Sequence, residues 1–210
     1  NPKNTFIDYL TPEELKMIWE PGSTIKTWKD VRSSWPNQPI KLYGPGTDSG
    51  TFDYFTESIN GKSHACRSDF TASEDDNVLV QGIAGDPNAL GFFGYAYYLE
   101  NKSRLKIIPI DNGNGPITPS EVTINNGTYS PLSRPIFIYV STESAKRDLV
   151  NEFIMFYLDH AGDIASEVGY VELPKNVYSL AKTRFESRTF GSAFNDPKLA
   201  GLDIEDRLSR

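Results

Sequence analysis

Residues 44–55 read Gly-Pro-Gly-Thr-Asp-Ser-Gly-Thr-Phe-Asp-Tyr-Phe, and this stretch predicts a loop that opens an α-helix. Phe52, Phe55 and Ile59 recur at the spacing of one helical face. Ser49 stands just before this face, in the position that favours a helix N-cap. The pattern therefore predicts a loop that ends at Ser49 and a helix that follows it.

The first turn of this helix suits a small tetrahedral oxyanion. Helix starts carry unpaired N–H donors and the positive end of the helix dipole. Ser49 and Thr51 add two hydroxyl groups, and Gly50 between them lets a ligand approach the backbone closely. The alternative is a simple cap and turn, because serine and threonine cap many helices that bind nothing.

Nucleotide and nucleic-acid ligands fit this sequence poorly. The loop has no Gly-Lys-Ser/Thr ending, and its glycine spacing differs from the dinucleotide fingerprint. The formal net charge of −7 argues against nucleic acid, which binds basic surfaces. Local backbone dipoles still permit a small anion.

Catalytic and metal-binding patterns are weak, so we expect no enzyme activity, no cofactor and no metal. His64 has only Cys66 nearby as a possible metal ligand. Asp75 and Asp76 are adjacent and point to different faces of a helix, which makes a poor acid–base pair. Ser49 lacks the preceding glycine of a nucleophile elbow.

Helical and strand patterns alternate along the chain, which is typical of an α/β fold. Thr11 begins a capping box for the first helix. The other main predictions are strands at 40–43 and 136–140, a helix capped by Ser73 and running to Ala84, a strand and turn at 90–98, and an amphipathic helix at 144–160.

Several segments resemble, in order, the PstS-type phosphate-binding proteins, which are the extracytoplasmic receptors of phosphate ABC transporters. The segments are residues 42–55, 73–80, 88–98 and 134–140. The resemblance extends from about Asn4 to Phe190. Within the family, the chain resembles a cyanobacterial-like subclass. Matching motifs in the same order are far more specific than Ser-Gly-Thr alone.

The resemblance implies an α/β, type II periplasmic-binding-protein-like fold with two lobes and a hinge. It implies that residues 1–130 form the second lobe, which carries the anion loop. Residues 131–210 would return to complete part of the first lobe. The N-terminal first-lobe segment of the family has no counterpart in this sequence, and that segment supplies roughly half of the family's phosphate ligands.

The phosphate contacts that the resemblance carries over are Ser49, Gly50 and Thr51, through hydroxyl and backbone N–H donors. Many relatives have an arginine shortly before Ser-Gly-Thr, whereas this chain has none at residues 45–47. Arg67 is the candidate substitute, because a guanidinium can bind two phosphate oxygens. Its alternative is an ion pair with a neighbouring aspartate, either Asp69 or Asp75.

Asp48 is the last candidate contact. Its carboxylate could accept a hydrogen bond from monohydrogen phosphate, which sulfate cannot offer at neutral pH. The alternative is that it shapes the turn before the cap, since aspartate favours turns.

The resemblance implies an exported, periplasmic or cell-surface protein that captures inorganic phosphate and delivers it to an ABC transporter permease. No stretch is apolar enough to insert stably in a membrane, and Asn1-Pro2-Lys3-Asn4 does not resemble a signal peptide. A secreted protein whose leader has been removed would look the same. The alternatives are a stand-alone oxyanion sensor or scavenger and, less favoured, a phosphate-ester hydrolase.

Overall fold

A computed structural model describes residues 1–194 and 203–209, in which helices and short strands alternate. The helices are α1 (Pro12–Trp19), α2 (Trp28–Val31), α3 (Gly50–Asn60), α4 (Asp76–Gly85), α5 (Tyr95–Glu100), α6 (Glu121–Asn125), α7 (Asp148–Glu167), α8 (Lys175–Glu186) and α9 (Ile204–Leu208). The strands are β1 (Lys41–Gly44), β2 (Thr71–Ala72), β3 (Ala89–Gly91), β4 (Ile110–Asp111) and β5 (Pro116–Ile117). The predicted α/β composition is confirmed.

A parallel sheet in the order β2-β1-β3 positions the loop of residues 45–49. Gly44 of β1 is in register with Ala72 of β2, and Leu42 is in register with Leu90 of β3. Because the three strands run in one direction, the loops that follow them lie at the same carboxyl edge of the sheet. This is the edge at which parallel sheets bind ligands.

An aromatic cluster fixes α3 beneath this edge. The Trp19 ring meets Phe55 of α3 edge-on at 5.7 Å between centroids, and it meets Phe92 at 4.9 Å. Phe55 stacks on Phe92 at 3.8 Å. Trp19 and Phe55 are both buried, so the middle of α3 packs into the hydrophobic core.

The predicted starts of α1 and α3 are confirmed. Thr11 and Glu14 form the reciprocal hydrogen bonds of a capping box. Ser49 is the N-cap of α3, and Gly61 ends the helix with a left-handed φ of 82°.

The predicted cap of α4 is wrong by two residues. Asp75, not Ser73, is the N-cap, and its carboxylate accepts the Asn77 N–H at 2.9 Å. The Ser73 hydroxyl accepts the Asp75 N–H at 3.1 Å and so forms the turn before the helix. Serine and aspartate are both good N-cap residues. Asp75 takes this role because it directly precedes Asp76, the first residue of α4.

The predicted strand and turn at 90–98 is only partly correct. β3 ends at Gly91, and α5 begins four residues later. Tyr43 of β1 pairs with Gly91, and β1 itself ends at Gly44, so β3 loses its neighbour at this point. A strand without a partner leaves its backbone groups unpaired, and the chain forms a helix instead.

The predicted strand at 136–140 is also wrong, because these residues adopt no regular secondary structure. Ile136 and Tyr139 are exposed by 62% and 82%. Within the described ranges, no strand pairs with this segment. An apolar, β-branched run needs such a partner before it becomes a strand.

The chain divides into two compact units. Unit 1 comprises Asn1–Thr123 and Thr128–Ser133 and contains the parallel sheet with its loop; unit 2 comprises Ile124–Gly127 and the residues from Arg134 onward. In unit 2, α7 packs against α8, and Ile154 and Val177 are buried.

Candidate anion-binding site

The loop between β1 and α3 lies at the surface of unit 1. Thr47, Asp48 and Gly50 are exposed, whereas Ser49 and Thr51 are half-buried. The sequence-predicted group Asp48, Ser49, Gly50 and Thr51 therefore lies together on one solvent-accessible loop. Solutes can reach the start of α3.

The backbone of the loop is held in a turn that presents this helix start. The Ser49 N–H donates to the Gly46 carbonyl at 3.2 Å, and the Ser49 carbonyl accepts from the Asp53 N–H at 3.1 Å. The Ser49 Oγ accepts from the Thr51 N–H at 3.1 Å. A serine hydroxyl that accepts one hydrogen bond can still donate another, so the capping contact is compatible with an oxyanion at the same Oγ.

The helix that begins here is long enough for its dipole to matter. α3 has 11 residues, and its first turn contains one acidic side chain, Asp53. The Asp53 carboxylate is engaged by its neighbours: its Oδ1 lies 2.9 Å from His64 Nε2 and accepts from Ser63 Oγ at 3.1 Å. These contacts place donors around the one negative charge of the first turn.

Glu74 is a site residue that the sequence did not single out. Its Oε1 accepts the backbone N–H of Asp48 at 3.4 Å. It also lies against Gly46, where an added Cβ would come within 2.0 Å of the same oxygen. Glu74 follows β2, and only the pairing of β2 with β1 brings it to the loop.

Further carboxylates follow Glu74 at the start of α4. Burial raises the pKa of Asp76 above its usual range, and the negative charges of Asp75 and Glu74 raise it further. The carboxyl edge of the sheet thus combines two helix starts with several acidic groups.

Arg67 is buried in a network of its own, with 7% of its surface exposed. Its guanidinium donates to the carbonyls of Ile18 and Ile25 at 2.9 and 3.0 Å, and to the Asp69 carboxylate. Hydrogen bonds from Arg67, and then from Lys26, hold the pKa of Asp69 well below its usual range. These contacts favour the alternative that the sequence left open, an ion pair with Asp69, and they do not support a role in anion binding.

The thiol of Cys66 and the metal-binding residue types are the other chemically relevant groups of the described residues. Burial is the main cause that raises the pKa of the Cys66 thiol to about 11, which keeps the thiol protonated at neutral pH. In the described part of the chain, no group of three or more histidine, cysteine or acidic residues is placed to hold a metal ion. The helices of residues 1–194 and 203–209 include none that is long and apolar enough to cross a bilayer.

The chain is similar in sequence to a family of binding proteins and to several of its members. Residues 1–160 match the sequence profile of a family described as a PBP superfamily domain. The chain is 47% identical over 213 residues to Protein SphX of Synechocystis sp., a match that covers all of this chain and 63% of that protein. It is 40% identical over 182 residues to the phosphate-binding protein PstS of Staphylococcus haemolyticus, covering 85% of this chain and 55% of that one.

A solved structure supports the same grouping. It is described as a possible phosphate binding protein from Planctomyces limnophilus, and it shares 46% identity with a TM-score of 0.82. The match covers 90% of this chain and 68% of that chain. The chain thus spans about three fifths of the length of the SphX relative and just over half of the PstS relative.

Proposed function

Since this chain belongs to the PBP superfamily and is related to PstS-type proteins, we propose that it binds inorganic phosphate at the start of α3. The protein captures phosphate outside the cytoplasm and delivers it to the permease of an ABC transporter. It performs no chemistry on the ligand. The names of its relatives support this proposal, and so does the presence of Ser49, Gly50 and Thr51 on one accessible loop.

The observation that carries the proposal is the exposed first turn of α3 at the carboxyl edge of a parallel sheet. The hydroxyls of Ser49 and Thr51 would donate to phosphate oxygens, and so would backbone N–H groups at the helix start, with the Thr51 N–H shared between Ser49 Oγ and the anion. The helix dipole favours the negative charge, and Gly50 has no side chain that would block the approach of a ligand to the backbone. Asp48 is exposed beside them, and its carboxylate would accept a hydrogen bond from a protonated phosphate oxygen.

We assign no positively charged side chain of unit 1 to the phosphate site, since the candidate Arg67 is bound to Asp69 and two carbonyls. We therefore propose Ser49, Gly50, Thr51 and Asp48 as the phosphate contacts of this chain, and we assign Arg67 to stability. Backbone and hydroxyl donors alone can hold an oxyanion at a helix start.

We also propose that residues 1–130 form the second lobe of a receptor and that residues 131–210 complete part of the first. Unit 2 favours this division, because several of its large apolar side chains are exposed, among them Phe153 at 60% and Tyr139 at 82%. Exposed apolar surface of this extent is typical of a surface that another part of a protein covers.

The test is calorimetric titration of phosphate into the chain and into Gly50→Val. We expect stoichiometric binding to the unmutated chain and about tenfold to a hundredfold weaker binding to the variant, because the branched side chain blocks backbone approach. Gly85→Val is the matched control: Gly85 lies at the far end of α4, with nothing within 4 Å of its Cβ position.

Equal phosphate affinity of the chain and Gly50→Val would overturn the assignment of the site. Steady release of product from a phosphate ester such as p-nitrophenyl phosphate would instead favour the hydrolase. The sensor alternative is tested separately, by co-purification with a permease or with a signalling protein.

A further inference from the structure

The Glu74 side chain occupies a defined position on the anion loop. Gly44 of β1 is in register with Ala72 of β2, and the Ser73 N–H donates to the Gly44 carbonyl at 3.2 Å. These contacts carry the chain past the end of β2 and set Glu74 directly beside the loop. Its Oε1 then accepts the Asp48 N–H at 3.4 Å.

Gly46 makes room for this carboxylate. A Cβ at Gly46 would lie 2.0 Å from Glu74 Oε1 and 2.8 Å from its Cδ. Gly46 is not among the residues with a left-handed φ, so its backbone does not require glycine. The space that Glu74 fills is therefore the physical reason for a glycine at this position.

We propose that the Glu74 carboxylate is an internal competitor that occupies the anion loop until a dissolved oxyanion displaces it. The inference depends on the proposed function, since it concerns the same loop. A carboxylate, like phosphate or sulfate, is negatively charged and accepts hydrogen bonds from backbone N–H donors. With Glu74 in place, the Asp48 N–H is already engaged, and the carboxylate repels a second anion at short range.

This competition lowers affinity for every oxyanion in the same way. Glu74 is exposed, so its side chain can leave the loop without breaking a buried contact. A bound oxyanion then gains the N–H that Glu74 releases, which makes the affinity of the loop adjustable by one side chain. Asp48, Asp75 and Asp76 remain when Glu74 is removed, so the effect measured is that of one carboxylate.

The experiment titrates phosphate, and separately sulfate, into four forms of the full chain: unmutated, Glu74→Ala, Gly46→Ala and the double variant. Glu74→Ala removes the competitor, and we expect both anions to bind about threefold to tenfold more tightly. Gly46→Ala places a methyl group where Glu74 Oε1 lies and expels the flexible side chain, so it should raise affinity in the same direction. The double variant should equal Glu74→Ala, because no carboxylate is left to expel.

The control is Glu57→Ala, which removes an exposed carboxylate of the same charge from the distal part of α3. It should leave both affinities unchanged. Circular dichroism melts of each variant check that the fold is retained, and Glu74→Ala alone suffices if Gly46→Ala folds poorly.

Several outcomes would overturn the inference while leaving the proposed function intact: unchanged phosphate affinity in Glu74→Ala, weaker phosphate binding, or a gain confined to one anion. A loss for phosphate alone would make Glu74 a ligand contact. An unmutated chain and a Glu74→Ala variant that both bind neither anion would overturn the proposed function and this inference together.

Discussion

Arg67 illustrates how one side chain can have two interpretations in a sequence. Its position after α3 allowed both a phosphate contact and an ion pair with an aspartate. The structure buries its guanidinium between two carbonyls and the Asp69 carboxylate. A buried charge needs its partners, so this residue is expected to act on stability.

The residue-scale prediction is that Arg67→Ala lowers the free energy of unfolding by about 2–4 kcal/mol, since the carbonyls of Ile18 and Ile25 lose their donor. Phosphate affinity of the folded variant should not change. Urea denaturation and calorimetry measure the two quantities. Lys26→Ala is the control, because Lys26 also pairs with Asp69 but is 64% exposed in its side chain, and it should change stability by no more than about 0.5 kcal/mol. A fully stable Arg67→Ala with weak phosphate binding would restore the ligand role.

At the scale of the element, the start of α3 has two tasks that use the same atoms. The Ser49 Oγ caps the helix through the Thr51 N–H, and in the proposed function it also donates to phosphate. Capping needs only an oxygen that accepts the Thr51 N–H, whereas the anion needs a hydrogen-bond donor that carries no negative charge. A substitution that keeps the acceptor and adds a negative charge should therefore separate the two tasks.

Ser49→Asp is this substitution. Aspartate caps as well as serine and interacts favourably with the helix dipole, so stability should stay within about 0.5 kcal/mol of the unmutated chain. Phosphate binding should weaken at least about tenfold, because a fixed carboxylate takes the place of the anion. Thermal denaturation and phosphate titration check the two results, with Ser49→Asn as the neutral control. Undiminished phosphate binding by Ser49→Asp would place the ligand elsewhere.

For the whole molecule, the predicted type II periplasmic-binding-protein-like class is confirmed by the family match and the solved relative. Helix α7 of unit 2 has both buried and exposed apolar side chains. α7 buries Ile154 at 6% exposure, yet its neighbour Phe153 is 60% exposed and Phe156 is 59% exposed. One face of this helix thus stabilises unit 2, and the other contributes little to it.

We expect Ile154→Ala to lower the local opening free energy of α7 by about 2–4 kcal/mol, because it leaves a cavity at a buried position. Phe153→Ala in the same helix should change it by less than about 1 kcal/mol, since most of that ring is already in water. Hydrogen exchange of the α7 amides measures both. Equal losses in the two variants would show that Phe153 is buried in solution.

The sequence alone predicted the strand–loop–helix unit of β1 and α3, the N-cap of α3 and the first helix with its capping box. These features depend on residues within four positions of one another, where propensity and hydrogen-bonding chemistry act directly. The recognisable order of its motifs also indicated the family correctly. The loop residues Asp48, Ser49, Gly50 and Thr51 lie together for the same reason, although their role as phosphate contacts stays a prediction.

Only the tertiary structure decided what surrounds that loop. Glu74 reaches Asp48 across 26 positions, and Arg67 reaches Ile18 across 49, in both cases because the chain folds back beside an earlier element. The early end of β3 and the irregular run at 136–140 have the same origin, since a strand depends on the neighbour that pairs with it. Helix caps and turns depend on neighbouring residues and can be predicted from a short stretch of sequence. Contacts between residues that are distant in the chain depend on how the elements pack, and no short stretch determines them.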